Sequence, residues 1–115
     1  MDIEQSAQIF RALGDKSRIQ VLALLSNREA CGNDLLAQLA ISQSTLSHHM
    51  KILTESGLVT ARKAGKATYY TLSPAAAELA GQALSSALGT LSAAPASAEP
   101  ASVKKKPKNQ FETWL

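Results

Sequence analysis

The sequence predicts a mainly α fold with a small β-hairpin: a winged helix-turn-helix of five helices plus a wing. Three observations predict it. Two helical patterns, ending near Ala40 and beginning at Gln43, are joined by about three residues, the spacing of a helix-turn-helix. From Leu58 the pattern changes to β-branched and aromatic residues around a glycine, which reads as a hairpin. Apolar residues at helical spacing recur before this block and return after it.

Taken in order, Ile3, Ala7, Ile9, Phe10 and Leu13 form the apolar stripe of a first helix, and Gly14 stops it as a C-terminal glycine would. Asp15 is placed to cap a second helix carrying Ile19, Val21, Leu22, Ala23 and Leu25 and ending near Ser26-Asn27. Asn33-Asp34 offers a cap and negative charge for a short third helix containing Leu35, Leu36 and Leu39 and ending around Ala40. Ser42 caps a fourth helix from Gln43 to about Glu55, and Gly57 ends it. Val59 to Leu72 then form the wing around Arg62-Lys63-Ala64-Gly65-Lys66. Ser73-Pro74 supplies a cap and a first-turn proline for a fifth helix, rich in Ala and Leu, through about Leu91. One domain over residues 1–91 is expected. Residues 92–103, mostly Ala, Ser and Pro, lack the apolar groups to repay folding entropy and read as a flexible linker, followed by the basic tail Lys104-Lys105-Lys106-Pro107-Lys108 and then Phe111, Trp114 and Leu115.

Charge is informative by location. The whole chain carries a formal +3, yet residues 41–72 hold Lys51, Arg62, Lys63 and Lys66 against Glu55 alone, and the tail is the second basic stretch. A single cysteine, Cys31, excludes an intrachain disulfide framework and a Cys-rich zinc module and suits a reducing compartment, so a cytoplasmic location is expected. Acidic residues follow Met1 where a signal peptide needs positive charge, and no run of about 18 apolar residues occurs, so neither export nor a membrane span is expected.

Function concentrates on the fourth helix. At 100° per residue, Gln43, Ser44, Ser47, His48 and Lys51 share one polar arc, while Leu46, Met50 and Leu53 cluster opposite. One side packs and the other is free to read. A DNA major groove accepts a helix; Gln, Ser and His hydrogen-bond base edges, and Lys51 neutralises phosphate. A polar arc alone is also what any solvated helix face shows. The wing decides for double-stranded DNA, because Arg62, Lys63 and Lys66 crowd its tip directly after the polar helix.

Several stretches in this order and spacing resemble the ArsR/SmtB bacterial repressors over roughly residues 5–91. They are Ala12-Leu13-Gly14-Asp15-Lys16-Ser17-Arg18, Ser42 through Leu53, Ser56-Gly57-Leu58-Val59, and the wing ending Tyr69-Tyr70-Thr71-Leu72. The resemblance implies a homodimeric repressor paired through its first and last helices, recognition helices in successive major grooves of an imperfect palindrome, and a ligand that weakens DNA binding. The fifth helix agrees independently. Ala76, Ala80, Ala83 and Ala87 beside Leu79, Leu84, Leu88 and Leu91 give it more apolar surface than one small domain needs, and a two-fold pairing buries it. Packing within one chain is the alternative.

The effector is not identified by the sequence. Family members that sense arsenic or antimony carry Cys-x-Cys-Asp at the start of the third helix; the matching stretch here is Cys31-Gly32-Asn33-Asp34, with one thiol where a soft metalloid or metal needs several. The family's metal site on the fifth helix uses Asp, His and Glu, and this helix has only Glu78 among them. His48 and His49 are adjacent and point about 100° apart, which disfavours joint coordination. His48 falls in the polar arc, and His49, beside Leu53, is expected to make a structural hydrogen bond. No metal site and no cofactor are therefore predicted. Cys31, near a helix N-terminus, is the candidate redox thiol, with a part-buried inert thiol as the alternative. The basic tail either adds phosphate contacts or is simply solvated. A winged-helix protein-interaction module with weak DNA binding is the competing function. No nucleophile-base pair or phosphate-cradling loop suggests an enzyme.

Overall fold

A computed structural model describes residues 1–89. The expected helix end at Leu91, the linker and the basic tail lie outside the described residues. The elements are α1 (Ile3–Leu13), α2 (Lys16–Leu25), β1 (Ala30–Cys31), α3 (Gly32–Gln38), α4 (Gln43–Glu55), β2 (Val59–Ala64), β3 (Ala67–Leu72) and α5 (Ala76–Leu88). This is the predicted architecture of five helices and a hairpin, with one short strand added.

The caps explain most boundaries. Asp2 accepts from the Gln5 backbone N–H at 2.8 Å while the Gln5 side chain accepts from the Asp2 N–H, so α1 opens on a reciprocal capping box. Asp15 caps α2 by accepting from the Arg18 N–H at 3.1 Å. Ser42 caps α4 by accepting from the Thr45 N–H at 3.1 Å, and Gly57, at φ 87°, turns the chain out of it. Gly14 acts differently from the expectation. Its φ is −89°, so no left-handed conformation is involved; a Cβ there would instead meet the Phe10 carbonyl oxygen at 3.1 Å.

Two helices begin elsewhere than the sequence suggests. Cys31, not Asn33, takes the N-cap position of α3, because Asp34 reaches back to accept from the Cys31 N–H at 3.1 Å, and the helix ends at Gln38. Ser73-Pro74 forms a turn instead of capping α5: the Ser73 carbonyl accepts from the Ala76 N–H, and regular helix starts only at Ala76. α5 closes at Leu88, with Gly89 at φ 71°. The added strand β1 pairs with β3, giving the antiparallel order β1-β3-β2.

In the hairpin, Val59 pairs with Leu72 and Ala64 with Ala67, leaving Gly65-Lys66 as a two-residue turn. Gly65 has φ 64° and Lys66 keeps a negative φ, the combination of a type II′ turn. The core lies between α1, α2, α3, α4 and the base of the wing, with Ile9, Ala12, Val21, Leu25, Leu35, Leu46, Met50, Leu53, Leu58 and Val59 buried. Full burial of such a side chain contributes about 1.5–3 kcal/mol, so the inner face of α4 is fixed by several of them at once. Ala83 of α5 is buried as well, where α5 packs along α1.

Candidate nucleic-acid interface

α3 and α4, joined through Leu39 to Ser42, form the helix-turn-helix. Leu46, His49, Met50, Ile52 and Leu53 face inward from α4. Gln43, Ser44, Ser47, His48 and Lys51 are all exposed. Ser44 is tied to the cap, its hydroxyl lying 3.3 Å from that of Ser42, so the first turn of the exposed face is held in place.

The wing stands beside this face. Gln43, Ser47 and Met50 of α4, Cys31 and Gly32 at the start of α3, and Lys66 and Tyr70 of the hairpin line a cavity of about 250 Å³. The structure thus brings Gln43, Ser47, Lys66 and Cys31 to one place. His48, Lys51 and Lys63 are exposed outside that cavity. Cys31 is part-buried.

The three wing cations differ. Lys63 and Lys66 are exposed, and neither forms an ion pair among the described residues. Arg62 donates to both carboxylate oxygens of Glu29 at 3.0 and 3.1 Å, and its guanidinium carbon lies 5.1 Å from the centre of the Tyr69 ring. Glu29 also accepts from the Thr71 hydroxyl at 3.3 Å. Sequence reasoning passed over Glu29 because it lies in the α2–β1 connection, 33 residues from its partner.

Beneath the exposed arc lies a polar group in the core. His49 is buried and its Nδ1 sits 2.9 Å from a terminal nitrogen of Arg18, so it makes the structural hydrogen bond its wheel position predicts. Its Nε2 is 3.7 Å from the Asp15 carboxylate. Burial pushes the Asp15 carboxyl upward, but the Arg18 N–H, the nearby His49 and Arg18, and the Ser17 N–H together outweigh it and hold the group below its ordinary value. Asp34 is likewise lowered, chiefly by the Cys31 N–H. The missed residue here is Arg18. The signal was present: Arg18 stands three and seven residues before Val21 and Leu25, on the buried stripe of α2.

Among the described residues, no group of three or more His, Cys, Asp or Glu side chains is arranged to hold a metal ion, and no helix is long and apolar enough to cross a membrane.

A helix-turn-helix set against a hairpin wing is the arrangement of winged helix-turn-helix DNA-binding transcriptional regulators, and known proteins similar to this chain carry that function in their names. Residues 15–61 match the profile described as bacterial regulatory protein, arsR family. The arsenical resistance operon repressor of Staphylococcus aureus is 45% identical over 75 residues, covering 65% of this chain and 72% of that one. A transcriptional repressor SmtB homolog of Synechocystis is 39% identical over 69 residues, 60% of this chain and 52% of its own. A crystal structure described as a possible transcriptional regulator for arsenical resistance superposes with a TM-score of 0.63 at 33% identity, covering 69% of this chain and 82% of that one. The chain belongs to the ArsR family of bacterial regulatory proteins.

Proposed function

We propose that the protein is a homodimeric repressor that binds an imperfect palindrome in double-stranded DNA and works in the cytoplasm. The observation that carries this reading is the division of α4. Its inner face is locked into the core, while Gln43, Ser44, Ser47, His48 and Lys51 lie exposed on the same side chain arc beside the wing. Gln43, Ser44, Ser47 and His48 read base edges; Lys51, Lys63 and Lys66 neutralise phosphates. Arg62, engaged by Glu29, contributes less to phosphate binding than the two lysines.

Dimerisation is supported by what α1 and α5 leave uncovered. Ile3 is 88% exposed and Leu88 61%, with Phe10 and Leu84 also exposed. An apolar groove between the helices is lined by Met1, Ile3, Ala7, Phe10 and Ala87. A second copy related by a two-fold axis covers such a face and spaces two reading helices about 34–36 Å apart, one turn of DNA. The DNA-binding and dimerising domain is assigned to residues 1–91, and the lysines of residues 104–108 are a second set of positive charges, for phosphate or for solvent. The protein acts by binding and not by catalysis.

The names of its relatives raise arsenicals as effectors. With one thiol per chain and Asn33 at the second thiol position, this chain supplies fewer soft ligands than such an ion takes, and Cys31 is assigned instead as a redox thiol. The test is fluorescence anisotropy on DNA from upstream of its own gene against random duplex, with and without a thiol oxidant and metal or metalloid ions. Preference for the upstream DNA, lost with oxidant in wild type and retained in Cys31→Ser, is the expected result. Equal affinity for random DNA would favour the protein-interaction reading.

A further inference from the structure

Arg18 is only 8% exposed, and its guanidinium joins three helices. Nε donates to the Ala12 carbonyl at 3.0 Å and Nη2 to the Arg11 carbonyl at 2.8 Å, so the cation completes the carbonyl end of α1. Nη1 meets His49 Nδ1 at 2.9 Å. A guanidinium has donors only, so His49 Nδ1 must be the acceptor. The ring is then neutral, with its hydrogen on Nε2 toward Asp15. The C-terminus of α1, the start of α2 and the inner face of α4 therefore meet at one fork. His49 is the residue after His48 and two after Ser47 on the helix whose outer face reads DNA.

We propose that Arg18 and His49 are positioning residues for DNA recognition: their bond sets α4 against α1, and it holds only while His49 Nδ1 is unprotonated, so discrimination between operator and random DNA falls as the ring gains a proton. The proposal rests on the assignment of α4 as the reading helix. Protonation makes Nδ1 a donor facing a donor and places a second positive charge beside Arg18, which forces the ring or the guanidinium to move. The groups facing His49 are Arg18 and Asp15 from α2 and His48 on its own helix, with ring centres 6.2 Å apart; α1 presents backbone carbonyls to the fork through Arg18. Arg18 is the positive charge beside Nδ1, and Asp15 the negative charge on the side of Nε2.

The experiment measures association of the full chain with its operator and with a scrambled duplex, by fluorescence anisotropy at constant ionic strength from about pH 8 to 5.5. The ratio of the two constants is the readout, because a general loss of folded protein lowers both together. In wild type the ratio is expected to fall at least about fivefold toward acid. In His49→Asn the amide oxygen replaces Nδ1 as acceptor and does not titrate, so the part of the response due to His49 disappears while any response of His48 remains. Asp15→Asn keeps a competent helix cap but removes the negative charge 3.7 Å from Nε2, and is expected to move the fall to lower pH. Arg18→Lys keeps a positive charge but cannot span three acceptors, and is expected to lower the ratio about tenfold at pH 8, the scale of one hydrogen bond to a charged group. If the wild-type and His49→Asn profiles superimpose, the protonation coupling is overturned, whether or not Arg18→Lys folds. A wild-type ratio near one at every pH would overturn the reading-helix assignment itself and the proposal with it.

Discussion

Removing Lys63 and Lys66 together should flatten the salt dependence of DNA binding, and the structure sets the size of the effect. Each phosphate contact made by a cation contributes about −0.9 to the slope of log K against log salt. Both lysines are exposed at the wing and unpaired among the described residues, so the proposed dimer would present four such charges. Lys63→Ala with Lys66→Ala should therefore reduce the slope by up to about 3.6, which over a fourfold rise in salt is a difference of about 10²-fold in affinity. Arg62→Ala should change the slope by less than one unit, since its guanidinium is already shared between Glu29 and the Tyr69 ring. The assay is anisotropy on a random duplex from about 50 to 200 mM salt, where base reading contributes nothing. A slope untouched by the double substitution would remove the lysines from the phosphate contacts. A slope flattened as much by Arg62→Ala alone would show that the Glu29 pair opens on DNA.

Three further expectations follow from other parts of the molecule. Ser47→Ala and His48→Ala should each narrow the gap between operator and single-base variants by about 1–3 kcal/mol at the position read, while binding to random DNA stays near wild type; an unaltered gap in both would take these residues off the base edges. Leu84→Glu with Leu88→Glu should yield a folded monomer by sedimentation, because both side chains lie on the uncovered α1–α5 face; a dimer of undiminished affinity would place the interface elsewhere. Asp34 has its carboxyl lowered by the Cys31 N–H, so it contributes stability above the ordinary carboxylate value that is lost as pH falls through the lowered one. Asp34→Asn should then show a smaller drop in Tm between about pH 5 and 3 than wild type, and a drop of equal size would contradict the linkage.

Most of the fold was legible because its signals are local. The cap at Ser42, the left-handed Gly57 and the run from Gln43 to Glu55 are set by residues within three or four positions of one another, and α4 has the predicted bounds. What sequence reading missed depends on distant partners. Ala30–Cys31 is two residues long, too short to show alternation, and is a strand only because Tyr69 and Tyr70 of β3 lie alongside. The start of α3 was misplaced because Asn33 and Asp34 both look like caps; the choice fell to a reach-back bond from Asp34, which puts Cys31 at the boundary. Ser73-Pro74 carries a strong local signal for a helix start, yet Ser73 must also close the base of the wing by donating its N–H to the Leu58 carbonyl at 2.9 Å. That long-range bond holds Ser73 at the foot of the hairpin, and the helix begins three residues later.

The same distinction governs the candidate site. A helical wheel finds which residues of α4 face outward, since the inward face is recorded in Leu46, Met50 and Leu53. It counts Arg62 with Lys63 and Lys66, because a charge in a sequence has no partner until the chain folds. Folding divides the three: Glu29, from the other side of the helix-turn-helix, engages Arg62 and leaves the lysines. Arg18 gives the opposite case. Its place on the apolar stripe of α2 marks it as a buried cation, and a buried cation requires acceptors. Two are carbonyls at the end of α1, and the third is a ring nitrogen of the recognition helix. If that nitrogen were protonated, the fork would hold two adjoining cations, with Asp15 the counter-charge beside them among the described residues. On the proposed assignment, the reading surface is thus tied to a bond on its hidden side, a link that neither the polar arc nor the apolar stripe carries by itself.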